Sequence, residues 1–188
     1  MTSHVAFRVF VANTNVTNVD EVLDFVESQS SDLKSFRKPP GRGPQAAAGD
    51  YMLVLNTAGS IASIAGIIWM AYDKFIAAKK EPDTNAGIIL YLAPSNPDIQ
   101  INFWLGERQK TKEEFTDDFV QQVSSVADTE NSTYQDSIDA VMSGATSWVP
   151  RDEYVDPPAS ELRLDPAEME QLNLMLEQMS KDRDTSSK

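Results

Sequence analysis

Residues 51–72 read YMLVLNTAGSIASIAGIIWMAY, an uncharged run between Asp50 and Asp73. As a single helix it would extend about 33 Å, enough to cross a hydrocarbon layer of about 30 Å. Polar residues interrupt the run near its middle, which weakens the case for a membrane span: Asn56, Thr57, Ser60 and Ser63. The run therefore has two interpretations, a buried core helix and a transmembrane helix.

The helical interpretation predicts one long helix from about Asp50 to Lys80, with Asp50 as its N-cap and Pro82 ending it. On such a helix, small and polar residues would share one stripe, opposite a bulky one. Small stripes allow a second helix to approach closely, in water and in lipid. The predicted helix-packing residues are Asn56, Gly59, Ser60, Ser63 and Gly66.

The flanking segments favour burial of this helix. Alternating apolar residues predict a strand over 4–12, and β-rich runs predict strands at about 87–93 and 98–105. Apolar spacings of three and four predict a helix at about 19–28, and a capping box at Thr111 opens another that ends near residue 127. The apolar faces of these elements need a central element to cover them.

The predicted architecture is an α+β fold, in which a small three-stranded sheet packs on a long central apolar helix and two shorter helices, with an acidic C-terminal tail. Residues 37–49, RKPPGRGPQAAAG, indicate a flexible basic loop. The predicted divisions are a compact domain, an acidic tether containing Pro and Ser, an amphipathic helix and a disordered end, over residues 1–126, 127–164, 165–180 and 181–188 respectively.

The C-terminal helix begins at Asp165-Pro166-Ala167-Glu168, an N-cap followed by proline at the first helical position. Its apolar residues form one stripe, which either packs back on its own domain or docks in a groove of a partner protein. The sequence leaves both possibilities open. The predicted partner-binding residues are Met169, Leu172, Met175, Leu176 and Met179.

Charge and composition bound the partners and the compartment. The formal net charge is −13, and residues 81–188 carry 22 acidic residues against 8 basic ones. Such a chain repels phosphate backbones, so we expect no nucleic-acid partner. Cysteine is absent, which excludes disulfides and thiolate chemistry. The N-terminal residues do not resemble a signal peptide, so we expect a cytoplasmic protein, with a membrane-anchored one as the alternative.

No catalytic signature stands out. The chain has one histidine, His4, and lacks nucleophile-elbow, metalloprotease and phosphate-loop motifs. The adjacent carboxylates Asp117 and Asp118 fit the solvated face of an amphipathic helix better than an acid–base pair. We therefore expect no enzyme and no catalytic, cofactor-binding or metal-binding residues.

The order of motifs resembles a known family. The strand HVAFRVFV, the helix VDEVLDFV, the loop KPPGRGP and the apolar run LVLNTAGSIASIAGIIWMAYDKF, followed by two strands and a helix, resemble the effector-associated constant component family of bacterial conflict systems. The likeness covers about residues 4–126 and depends most on 39–75. It departs from the family in its acidic character around the second and third strands, and the tail lies outside it.

The resemblance implies an adaptor or signal-coupling role without known catalysis, and it carries over no functional residues. Our hypothesis is a bacterial defence module that binds protein partners, such as an effector enzyme or a protease of the same system, through its core domain and its C-terminal helix. The oligomeric state is left open. The alternatives are a single-pass membrane protein anchored by 51–72, and a substrate or inhibitor of a protease that is cut within 127–164.

Overall fold

A computed structural model describes residues 4–12, 17–39, 50–79, 86–93, 101–106, 111–128 and 132–156. The strands are β1 His4–Ala12, β2 Leu33–Lys38, β3 Asp50–Asn56, β4 Gly87–Ala93, β5 Asn102–Leu105 and β6 Val149–Pro150. The helices are α1 Val19–Gln29, α2 Ile61–Tyr72, α3 Lys112–Ala127 and α4 Ser132–Met142. A π-helical turn, Asp73–Ala77, continues α2, and a 3-10 turn, Arg151–Glu153, follows β6.

The strands form one antiparallel sheet in the order β5-β4-β1-β3-β2-β6. Its first four strands alternate with α1 and α2 as β-α-β-β-α-β and lie in the order 4-1-3-2. This is the connectivity of the split β-α-β, or ferredoxin-like, arrangement. The short strands β5 and β6 extend the sheet at its two ends.

The α+β class is confirmed, but the predicted three-stranded sheet on a long central helix is wrong. The sheet has six strands in the described ranges, and residues 50–56 of the supposed helix form β3, at its centre. β3 pairs with β1 on one side and with β2 on the other. Because both faces of a central strand are covered, its apolar residues run continuously and lose the alternation that identifies a strand.

The polar interruption at 56–60 is the turn between β3 and α2. The Asn56 carboxamide accepts a hydrogen bond from the Ala58 N–H at 3.0 Å, and the Ser60 hydroxyl accepts one from the Ser63 N–H at 3.3 Å. Ser60 is therefore the N-cap, and Asp50 instead begins β3. None of the helices in the described ranges has both the length and the apolar character needed to cross a membrane.

The main core lies between one face of the sheet and helices α1 to α3. Residues Val5, Phe7, Val9 and Val11 of β1 point to this side and are buried. Four phenylalanines from the sheet and from α3 pack together, with ring centroids 4.9 to 6.0 Å apart: Phe7, Phe103, Phe115 and Phe119. The capping box predicted at Thr111 is present and fixes the start of α3.

Residues 132–153 are packed structure within the segment predicted as a tether. In α4, Tyr134, Ile138 and Val141 are buried, and the Gln135 carboxamide exchanges two hydrogen bonds with the backbone of His4. β6 pairs with β2 and adds a sixth strand. The predicted helix at 165–180, with its five apolar residues, and the end at 181–188 lie outside the described residues.

Candidate interaction surface

Six residues of β1, β4 and β5 form a grid on the sheet face opposite α1 to α3. Phe10, Ile89 and Trp104 stand directly across from one another in one row. Arg8, Tyr91 and Asn102 form the next row. Neighbouring strands lie about 4.8 Å apart, so the backbone positions of the three aromatic residues lie within about 10 Å of one another. We call these six residues the aromatic face.

The rings of the aromatic face are open to solvent. The exposed fraction is 40% for Phe10, 43% for Tyr91 and 38% for Trp104. The rings of Phe10 and Tyr91 touch edge to face, with centroids 5.6 Å apart. Elsewhere on the same side of the sheet, Ala6, Phe36, Met52 and Val54 are at most 4% exposed. Burial on this side is therefore incomplete, and the exposed part is aromatic.

Gly87 lets Trp104 lie close to the sheet. A Cβ atom at Gly87 would come within 2.7 Å of the indole Nε1 and would also overlap the carbonyl oxygen of Leu105. The indole therefore covers the backbone of Gly87, an arrangement in which an aromatic side chain protects a glycine in a neighbouring strand. This packing holds the indole at the surface of β4 and β5.

An ion pair joins Arg8 of the aromatic face to Asp50 beside it. A guanidinium N–H of Arg8 donates to the carboxylate of Asp50 at 2.8 Å, and the two side chains are 40% and 38% exposed. Arg8 also stands directly opposite Tyr91 and two residues from Phe10. The border of the aromatic face thus carries both signs of charge side by side.

Most acidic residues of the described helices lie away from this grid. α1 and α3 each carry four acidic residues, against one basic residue, Lys112, and both helices pack on the other side of the sheet. α4, which carries Asp136 and Asp139, is not one of these helices, because its Tyr134 bonds to the backbone of Ala6 and Ala93, whose side chains face the same side of the sheet as the aromatic face. On the strand positions that share a side with the aromatic face, the charged residues are Arg8, Lys34, Lys38 and Asp50.

A second polar cluster surrounds Arg151, whose side chain is only 12% exposed. Its guanidinium donates to the hydroxyl of Ser35 at 2.9 Å, to the carboxylate of Glu27 at 2.9 Å and to the carboxylate of Asp24. Burial alone would lower the pKa of Arg151, but the hydrogen bonds and charges of Glu27 and Asp24 raise that pKa. These bonds join the turn after β6 to α1 and β2, which is a structural role.

The predicted helix-packing residues do not share one helical stripe. Asn56 ends β3, Gly59 lies in the turn and Ser60 is the N-cap, so that only Ser63 and Gly66 of the five lie within α2. Nothing stands within 4 Å of where a Cβ of Gly66 would be.

Sequence reasoning did not identify the aromatic face as a site. The available signal was the presence of Phe10 and Trp104 at strand positions whose neighbours on the same face are polar, namely Arg8 and Asn102. A single strand cannot show that these aromatic residues become neighbours, because that depends on the order of the strands in the sheet.

Within the described residues, no group of three or more histidine, aspartate or glutamate side chains is placed to hold a metal ion. The chain matches no protein-family model, and neither a curated protein nor a solved structure matches it significantly.

Proposed function

We propose that this chain is a non-enzymatic adaptor or signal-coupling module of a bacterial defence system, which works by binding proteins. The observation that carries the proposal is the exposed aromatic face. Aromatic residues are enriched at protein interfaces and supply many of their strongest contacts. Contiguous exposed apolar groups with polar residues at their border are typical of such surfaces.

The resemblance to the effector-associated constant component family supports the same role. In that family the small domain accompanies variable effectors and has no known catalysis. The five apolar residues predicted to bind a partner in the C-terminal helix would supply a second contact. One chain could then join two proteins, which is what an adaptor does.

Site-specific photo-crosslinking in the native cell tests the role of the aromatic face. A benzophenone amino acid replaces Tyr91 in one variant and Met70 in a control. Met70 is a suitable control because it is equally exposed, at 43%, and lies on α2, on the other side of the sheet. We expect protein crosslinks from position 91 and few from position 70. Equal or absent crosslinking from the two positions would contradict the proposal.

The second contact is tested by Leu172→Glu, which places a charge in the predicted apolar stripe. We expect this variant to keep the thermal unfolding temperature of the parent and to lose one protein from complexes purified with the full chain. Glu170→Gln, on the opposite side of the predicted helix, is the control and should retain that protein. Identical complexes from both variants would remove the C-terminal helix from the proposal.

A further inference from the structure

We propose that the aromatic face binds the aromatic face of a second copy of this chain, so that the module is a two-fold symmetric dimer. The inference rests on the proposed function only in treating this face as a surface for protein binding. The inference adds which protein binds there, namely a second copy of this chain. A dimer would carry two C-terminal segments, and two linked contacts bind a partner assembly more tightly than one.

The border of the face favours a second copy over a partner of opposite charge. In a two-fold interface every contact occurs twice. If one residue of the first copy touches another residue of the second copy, the same two residues also touch with the copies exchanged. Charged side chains can pair across such an interface only if the surface carries both signs of charge, and Arg8 and Asp50 provide them 2.8 Å apart. A guanidinium has five N–H donors, so Arg8 can hold Asp50 of its own chain and also a carboxylate of the second copy.

The distribution of charge makes this the favourable face for pairing. Two chains of net charge −13 repel one another. When they meet through the aromatic faces, α1 and α3 lie on the outer sides of both sheets, and the eight acidic residues that these helices carry in each chain are on the side of the sheet away from the interface. Contact through those helices would bring the same residues together, and like charges placed opposite one another in an interface weaken binding.

The chemistry of the face also argues against nucleic acid as its occupant. Bases could stack on the three rings, but affinity for nucleic acid comes mainly from several cations that neutralise phosphates. Within the grid of six residues there is one cation, Arg8, and its charge is shared with Asp50. Ile89, in the middle of one row, is suited to apolar packing between two sheets, which approach to about 10 Å.

Sedimentation velocity of the purified full chain over a wide concentration range tests the inference. We expect a concentration-dependent species of twice the 20.8 kDa monomer mass. Tyr91→Glu should weaken dimerisation about tenfold or more, because two added carboxylates would meet across the symmetry axis. Met70→Glu, the control on α2, should leave the dissociation constant unchanged. A monomer at every concentration, or equal effects of the two variants, would overturn the proposal.

A mixing experiment keeps the proposal testable if Tyr91→Glu unfolds. Arg8→Glu gives a border with two acidic residues, and Asp50→Lys gives one with two basic residues. Each variant alone should dimerise more weakly than the parent, whereas an equal mixture should recover dimers through charge pairs between chains. A mixture that dimerises no better than its components would contradict the two-fold contact. Crosslinks from position 91 to a different protein, with no dimer, would leave the proposed function intact and reject this inference alone.

Discussion

Tyr134 shows how one residue joins α4 to the sheet. The Ala6 N–H donates to the Tyr134 hydroxyl at 3.1 Å, and that hydroxyl donates to the Ala93 carbonyl oxygen at 3.1 Å. Ala6 and Ala93 are the pair at one end of the β1–β4 ladder, so the phenol satisfies backbone groups where strand pairing stops. Burial raises the pKa of Tyr134 to about 12, although the bond from Ala6 opposes the shift.

This shifted pKa predicts a loss of stability in alkali. Below the ordinary pKa of 10.0, Tyr134 is neutral in both the folded and the unfolded chain. As the pH rises from 10 toward about 12, the unfolded chain ionises and the folded chain does not, so the free energy of unfolding falls. Urea unfolding at several pH values should show a steeper fall for the parent than for Tyr134→Phe. Parallel pH profiles would contradict the assignment.

Gly87 is a second residue with a specific structural role, because its lack of a side chain makes room for Trp104. Gly87→Ala should reduce the free energy of unfolding by about 1 to 3 kcal/mol, because the new methyl group would overlap Trp104 and the Leu105 carbonyl. Gly66→Ala is the matched control. It lies in α2 with open space around it, and alanine favours a helix over glycine by about 1 kcal/mol. Urea unfolding followed by tryptophan fluorescence should therefore show that the two substitutions change the free energy of unfolding in opposite directions. An unchanged free energy of unfolding in Gly87→Ala would contradict the packing of Trp104.

At the scale of elements, the start of α2 separates the observed fold from a continuous helix over 50–80. Ser60→Ala should destabilise the protein by about 1 kcal/mol, because the N-cap hydrogen bond to Ser63 is lost. In an uninterrupted helix the same change would stabilise, since alanine is the better helix former. Chemical denaturation measures the change in the free energy of unfolding and therefore shows whether Ser60→Ala destabilises or stabilises the protein. Ser60→Asp, which keeps a capping oxygen, should retain most of the stability.

The packing of α4 gives an equally clear contrast with a flexible tether. Ile138 is fully buried, and Ile138→Ala should cost about 2 to 5 kcal/mol through lost contacts and a cavity. Asp139→Ala, one residue further along the exposed side of the helix, should change stability by less than about 0.5 kcal/mol. Thermal unfolding of the two variants would separate these effects. Similar small changes in both would show that residues 132–142 do not pack on the domain.

Some elements were predictable because their signals are local. The alternation in β1, the apolar spacing in α1 and the capping box of α3 each lie within one short segment, and all three elements form as predicted. The sequence does not predict β2, because the buried residues of this strand do not alternate, and it does not predict α4, because serine and aspartate separate the few apolar residues of this helix. The run at 51–72 contains β3 and α2 and not one helix, and its sequence does not distinguish these because a central strand and a buried helix are both continuously apolar.

At the scale of the whole molecule, the aromatic face could not be predicted from the sequence, because it depends on the order of the strands in the sheet. Phe10 lies far along the chain from Tyr91 and Trp104, and the aromatic face exists because β4 lies between β1 and β5. The topology also places the acidic helices α1 and α3 on the side of the sheet opposite the aromatic face. The net charge of −13 is a total for the chain and does not show this separation. We base the proposal of a dimer on this separation.

We infer that the aromatic face is where this chain binds another copy of itself. Hydroxyl-radical footprinting of the full chain at low and high concentration tests that claim most directly, with side-chain oxidation measured by mass spectrometry. We predict that oxidation of Phe10, Tyr91 and Trp104 falls as concentration rises, while oxidation of Met70 on α2 stays constant. Equal oxidation of all four side chains at both concentrations would contradict the account.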